Sequence, residues 1–324
     1  MSSITAESVT KFHPDKICDQ ISDAILDECL RQDPMSRVAV ETMGGHGTVI
    51  LSGEVTTNAI VDFAAVAKSF YKELTGKDIG VLCNIVKQSP DISQGVDIGG
   101  AGDQGIMVGY ACNKNPKHIP QELYLSRKLL EPFEVDGKSQ VTIEDGKITN
   151  VVLSVQGKTN YELAEYIDQF FTHMGIDYEF GIFCNNTGAF TIGGFDADSG
   201  VTGRKIVVDA YGPSVPVGGG AFSGKDPTKV DRSGAYMARY IALNILRHTP
   251  GAKEVTVNLA YVIGKAEPVM ATYEIDGMVF NIDQQKFDCR PDEIIKRFDL
   301  RRPIYLQTAA EGHFGCSDYP WEKV

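Results

Sequence analysis

The sequence predicts an α+β protein made of three helix–hairpin–helix–strand repeats, each a sheet covered by helices on one face. The order helix, paired strands, helix, strand is read three times along the 324 residues. The readings are spaced by roughly one hundred residues, the size of a small domain. The composition, 43% hydrophobic and 23% charged, is that of an ordinary globular chain too long for one small core. No literal residue repeat accompanies the pattern.

The first repeat opens with a helix over 14–31, where Ile17, Ile21, Ile25 and Leu30 are spaced for one buried face. Asp15, Asp19, Asp23 and Asp27 recur every fourth residue, and the last three read as a solvated charge row. Asp15 differs because it lies in the first turn beside His13 and Lys16, where the helix dipole favours it by about 0.3–1 kcal/mol. His13-Pro14-Asp15-Lys16 thus packs an acid, a base and a metal-capable oxygen into four residues, which suits a surface cap as well as a site. Strands over 37–43 and 48–56 flank Gly44-Gly45-His46-Gly47, and a helix over 60–74 and a strand over 81–86 complete the unit. The second repeat places a helix near 121–130, strands over 138–144 and 147–155 turning at Asp145-Gly146, a helix over 161–173 and a strand near 180–184. The third places a helix over 228–246, strands over 254–263 and 268–275, a helix over 292–298 and a strand over 303–306.

Two connections carry polar chemistry. Residues 88–105 hold many glycines and turn formers without an apolar period, which reads as a mobile lid or as a plain linker. Residues 196–205 place Asp196 and Asp198 before a glycine turn and then Arg204 and Lys205, running into an apolar strand over 206–211. That order suits a ligand with hydroxyls and phosphate, and suits a salt-bridged surface loop equally.

The stretch organising the chain is 218–231. Gly218, Gly219, Gly220 and Gly224 let backbone N–H groups approach a ligand, Lys225 and Lys229 add positive charge, and Asp231 follows as a possible metal ligand. Pro227 is expected to open the helix with Asp226 as its N-cap. Gly219 to Lys225 also fit G-x-x-x-x-G-K, but Asp226 stands where a P-loop needs a hydroxyl, which disfavours a P-loop phosphotransferase. A glycine-rich surface loop remains the bland alternative to a phosphate–magnesium site.

The net charge of −12 argues against a nucleic-acid partner, so a polyanion must sit in a local basic island. Seven cysteines without a C-x-x-C pair indicate neither a disulfide framework nor a zinc knuckle. No leader-like or membrane-length apolar run is found. A cytoplasmic protein without membrane contact is expected.

Taken in order, several motifs resemble the S-adenosylmethionine synthetase (methionine adenosyltransferase) family, in a short form. They are Glu7-Ser8-Val9 with His13-Pro14-Asp15-Lys16, Gln88-Ser89-Pro90-Asp91-Ile92, Gly100-Ala101-Gly102-Asp103-Gln104-Gly105 and Asp136-Gly137-Lys138-Ser139-Gln140-Val141. Thr202-Gly203-Arg204-Lys205, the 218–231 stretch and Gly312-His313-Phe314-Gly315 complete the set, which spans nearly the whole chain. The resemblance implies three intertwined α+β repeats, here 1–98 with the start of the gating loop, 99–190, and 191–324 with the phosphate loop. It implies that methionine sulfur attacks the ribose C5′ of ATP and that the departing triphosphate is split to pyrophosphate and phosphate. The attacking atom belongs to the substrate, which agrees with the lack of any evident nucleophile–base pair in the sequence.

By the same resemblance, His13 stabilises charge on the leaving triphosphate, and Asp15 and Asp231 hold two Mg²⁺. Lys138, Arg204, Lys205, Lys225 and Lys229 line the triphosphate channel, Asp136, Asp198 and Ala221 contact ATP, and Phe190 lies against adenine. Glu54, Gln88, Asp103, Asp198 and Lys229 serve methionine, Glu41 matches a residue associated with K⁺, and 88–97 corresponds to the gating loop. Each site is implied to lie between two subunits of a homodimer, or of a dimer of dimers. This sequence departs from the family at Lys11-Phe12, where Glu-Gly is usual, and at Ala189, where some members carry arginine. It is also shortened before Gly99 and over 113–135. A non-catalytic nucleotide-binding relative is the alternative, disfavoured because His13, Asp15, Lys225 and Asp231 are all present.

Overall fold

The structure, a computed structural model, describes residues 3–87, 100–176 and 179–324. Among the described residues three four-stranded sheets are formed, and each takes one edge strand from a different part of the chain. The first sheet has β2 (Arg37–Gly45), β3 (Thr48–Thr56) and β4 (Gly80–Val86), closed at its other edge by β9 (Gly200–Val201). The second has β6 (Gly137–Glu144), β7 (Lys147–Val155) and β8 (Gly181–Cys184), closed by β1 (Ser3–Val9). The third has β10 (Glu254–Tyr261), β11 (Met270–Ile275) and β12 (Met278–Asn281), closed by β5 (Gly105–Cys112).

Helices cover the sheets as the patterning requires. α1 (Pro14–Gln32) packs on β2, and α2 (Phe63–Thr75) makes the parallel crossover from β3 to β4. α3 (Gln121–Leu130) lies on β1 and β6, and α4 (Asn160–His173) makes the crossover from β7 to β8. α6 (Val230–His248) lies on β5 and β10, so close that a Cβ at Gly109 would stand 2.1 Å from the Ala238 carbonyl carbon. The apolar interior has two parts, one under the second sheet and a larger one shared by the first and third. The hairpins turn at His46-Gly47, Asp145-Gly146 and Asp276-Gly277, each with two positive φ angles, the turn that matches strand twist.

The repeats differ from expectation at their edges. The strand expected over 206–211 is instead the short helix α5 (Ile206–Asp209). The carbonyls at its C-terminal end, Val208, Asp209 and Ala210, accept from the half-buried Arg127, so no strand partner is needed. No strand forms over 303–306: Pro303 and Ile304 lead into helix α8 (Tyr305–Glu311), whose leading N–H groups are taken by Asp27. The third unit therefore ends its sheet with the antiparallel hairpin β11–β12, followed by α7 (Pro291–Phe298) and α8, and has no parallel crossover strand. Pro227 does not open α6, which starts at Val230. Asp226 caps a preceding turn through the Thr228 N–H at 2.9 Å and also accepts from the Val38 N–H at 2.7 Å.

Candidate active site

His13 is the N-cap of α1, and its Nδ1 accepts from the Asp15 N–H at 3.2 Å. With Nδ1 so engaged, the ring proton sits on Nε2, leaving a donor for a ligand oxygen. Burial, then the nearby Lys205 ammonium, push the His13 pKa down to about 4, so the ring is neutral at physiological pH. Asp15 accepts from the Val201 N–H at 3.0 Å and from Lys205 Nζ at 2.6 Å, with Arg204 at 3.5 Å. Burial opposes its charge, but these bonds outweigh burial and hold the carboxyl below its ordinary range.

Lys138 and Asp198 act on His13 electrostatically, and Asp136 accepts from the Gly194 N–H at 2.8 Å. The Phe190 carbonyl accepts from Gly157 N–H, beside Gln156, whose N–H bonds the Asp136 carbonyl. His13, Asp15, Asp136, Lys138, Phe190, Asp198, Arg204 and Lys205 thus form one neighbourhood at the start of α1. A cavity of about 230 Å³ beside it is walled by Phe12, Ile17, Tyr71, Asp136, Gly194 and Phe195.

Lys225, Asp231 and Glu54 mark a second neighbourhood. Lys225 Nζ bonds Asp231 Oδ2 at 2.8 Å, and the Gly220 N–H bonds Asp231 Oδ1 at 2.9 Å. Gly218 has φ +84° and would place a Cβ 2.5 Å from the Ile106 carbonyl oxygen, which presses the loop on β5. Asp103 lies two residues before β5, where its Oδ1 accepts from the Gln104 N–H at 2.7 Å, and it makes no described contact with that loop. Lys225 bridges Ala39, whose other partner is Glu54, so all three share a face of the first sheet. Glu54 and Lys225 are then two strand spacings apart, about 10 Å. Lys229 pairs with the fully buried Asp226. Glu41 stands on the exposed face, opposite Ser52. Gln88 and the gating loop lie outside the described residues.

The two neighbourhoods occupy one edge of β2, with Val201 pairing Met43 and Lys225 bridging Ala39. Four residues of strand separate these positions, about 13 Å. Ala221 joins them, since a Cβ at Gly203 would come within 2.6 Å of its own. Among the described residues no three His, Cys, Asp or Glu cluster as a metal cage. Asp15 and Asp231 stand singly, each a hard oxygen donor beside a lysine, an arrangement that fits a hard cation whose other ligands come from phosphate.

Family models for the N-terminal, central and C-terminal domains of S-adenosylmethionine synthetase match residues 2–90, 98–190 and 192–323. The chain belongs to the S-adenosylmethionine synthetase family. It is 42% identical to the S-adenosylmethionine synthase of Staphylococcus epidermidis over 379 aligned positions, covering 99% of this chain and 95% of the relative. It is also 42% identical to the Brachyspira hyodysenteriae synthase over 376 positions, with the same coverage. Both alignments are longer than this chain, so both relatives carry segments it lacks. The family activity is synthesis of S-adenosylmethionine from ATP and L-methionine, and the family uses metal ions. The three α+β units of the synthetase fold are those described above.

Sequence reasoning misjudged the aspartates of α1. Asp19, Asp23 and Asp27 are not a solvated row; Asp19 and Asp23 are fully buried, and each of the three accepts from backbone of a distant segment. Asp19 takes the Gly203 N–H at 2.8 Å, Asp23 the Gly224 N–H at 2.8 Å, and Asp27 the Leu306 N–H at 2.9 Å. Arg232 was also missed; it donates both Nη groups to Asp23, at 2.7 and 2.8 Å, from within α6.

Proposed function

We propose that each active site joins the His13 neighbourhood of one protomer to the Lys225 neighbourhood of its partner in a homodimer, with three units per chain over 1–98, 99–190 and 191–324. The observation that carries this is the division itself: candidate cations and carboxylates fall into two sets on one sheet edge. That edge borders an open face bearing Met43, Ile50, Leu82 and Val86, each more than 40% exposed. An exposed apolar sheet face of this kind marks an association surface.

In the joined site, methionine sulfur bonds to ribose C5′ as the C5′–oxygen bond breaks, and the triphosphate leaves with that electron pair. Lys138, Arg204, Lys205 and Lys225 surround the developing charge, and His13 offers Nε2–H to the oxygen that departs. Each of these cations is paired with a carboxylate, Lys138 with Glu7, Arg204 and Lys205 with Asp15, and Lys225 with Asp231, and a triphosphate competes for all of them. Asp15 and Asp231 would hold Mg²⁺, which when bound neutralises phosphate oxygens. Asp136, Asp198 and Ala221 contact ATP, with Phe190 against adenine. Glu54, Asp103, Asp198 and Lys229 serve methionine together with Gln88, the acids matching its ammonium group. Glu41 is the proposed K⁺ ligand.

Seven unpaired cysteines fit a cytoplasmic setting, and among the described residues no helix is long and apolar enough to cross a membrane. Incubation with ATP, L-methionine and Mg²⁺ is expected to yield S-adenosylmethionine, pyrophosphate and phosphate. Lys225→Ala is expected to lower turnover by about 10²–10³ with the fold intact. Tight ATP binding without product would point instead to a non-catalytic binding protein, and near-normal turnover of the variant would remove Lys225 from the channel.

A further inference from the structure

The four aspartates of α1 lie on one side of the helix, about 6 Å apart along its axis. Asp15 and Asp19 both meet the 201–205 stretch, Asp23 meets the glycine loop and Asp27 the start of α8. Asp19 Oδ1 holds the Gly203 N–H, and its Oδ2 accepts from Lys16 Nζ at 3.0 Å. The other bond of that ammonium goes to Asp209 Oδ1 at 2.5 Å. The arm bearing Arg204 and Lys205 is therefore clamped at both ends, at Gly203 by Asp19 and at Asp209 by Lys16. Asp23 does the same for the glycine loop. Its Oδ1 holds the Gly224 N–H, and Arg232, forked onto it, also donates to the Lys225 carbonyl at 3.2 Å. A Cβ at Gly224 would stand 1.9 Å from the Val40 carbonyl oxygen, so the loop is pressed against β2 where Asp23 takes its N–H.

We propose that Asp19 and Asp23 are positioning residues for catalysis, Asp19 setting the Arg204 and Lys205 arm and Asp23 the Lys225 arm. The proposal rests on the reading that these cations hold the triphosphate. Fully buried ion pairs add little net stability because desolvation offsets their attraction, but they enforce geometry. Attraction to a polyanion changes slowly with distance, whereas transfer chemistry loses about 10² in rate for a displacement of about 1 Å. Loosening either clamp should thus cost turnover far more than ATP affinity.

Asp19→Asn and Asp23→Asn each keep an acceptor for the backbone N–H but turn an amide toward Lys16 or Arg232. Two comparators share the chemistry without touching a basic arm. Asp27→Asn alters the same row where it holds α8. Glu322→Gln alters a buried carboxylate that takes an Arg239 fork and the Gly315 N–H, the same pattern as at Asp23. All are assayed as full-length protein in its native assembly, below each variant's Tm. The expected result is a kcat at least tenfold lower for Asp19→Asn and Asp23→Asn, with the ATP KM within threefold. The comparators are expected to stay within twofold in kcat, whatever their loss in Tm. If Asp23→Asn does not fold, Arg232→Lys keeps the charge and loses the fork; Lys16→Arg serves likewise for Asp19. A kcat for both clamp variants that falls no further than in comparators of equal Tm overturns the proposal. Lys205→Met and Lys225→Met separate the two levels. Wild-type turnover in both would overturn the underlying site, while inactivity in both with normal clamp variants would overturn positioning alone.

Discussion

The ring of His13 is half-buried within the field of the Lys205 ammonium and caps α1, so its proton balance is a property of the fold. A nuclear magnetic resonance titration of the ligand-free protein should find it near pH 4; a midpoint near 6.5 would contradict the described burial. The sign for stability follows. Its folded pKa lies below the unfolded value of 6.5, so only the unfolded chain takes up that proton as pH falls. The His13 contribution is complete above pH 6.5 and is lost toward pH 4, on the order of 3 kcal/mol at most. His13→Asn should flatten denaturation midpoints across that interval. Asp27 has the opposite sign: burial raises its pKa to about 7, so its share is complete below the ordinary carboxylate range and is lost as pH rises through 7. At this scale the sequence was informative where residues of unlike chemistry sit together, as in His13-Pro14-Asp15-Lys16. It was uninformative for Asp19 and Asp23, because a four-residue charge period looks the same whether it faces water or the backbone of a distant segment.

Elements here are placed by close backbone contacts as much as by apolar faces. β9 crosses the start of α1 at Gly200, where a Cβ would stand 2.1 Å from the Pro14 carbonyl oxygen. Gly200→Ala should cost about 1–3 kcal/mol by overpacking and should also reduce turnover, since the displaced arm carries Arg204 and Lys205. Chemical denaturation beside a kinetic assay checks both, and a stable, active variant would deny the contact. The long elements were legible because their periodicity runs for many residues: α1, β3, α3 and β7 end within a residue of expectation. Segments 206–211 and 303–306 were misread as strands because a short apolar run fits a buried helix turn equally well. β1 was missed because its inward positions, Ala6 and Ser8, are small. β5 was missed because it lies buried along nearly its whole length and shows no alternation.

At the scale of the molecule, the divided site makes a prediction about mixing. Lys205→Met and Lys225→Met should each be inactive, but after subunit exchange half the dimers are mixed, and each mixed dimer has one intact site. About a quarter of wild-type activity should therefore return. No recovery after demonstrated exchange would place the whole site within one chain. Met43→Asp, on the exposed sheet face, should yield folded monomers without turnover, as sedimentation and circular dichroism would reveal. The exchange of edge strands has a further consequence, for how the polypeptide is born. β1 is translated well before its partner β6, and β2 meets β9 only after residue 201 emerges. β5 likewise precedes β10. The first sheet thus keeps a bare edge until β9 is made, and β1 and β5 wait as lone strands for the second and third sheets, so the nascent chain must be shielded from self-association until its last third is made.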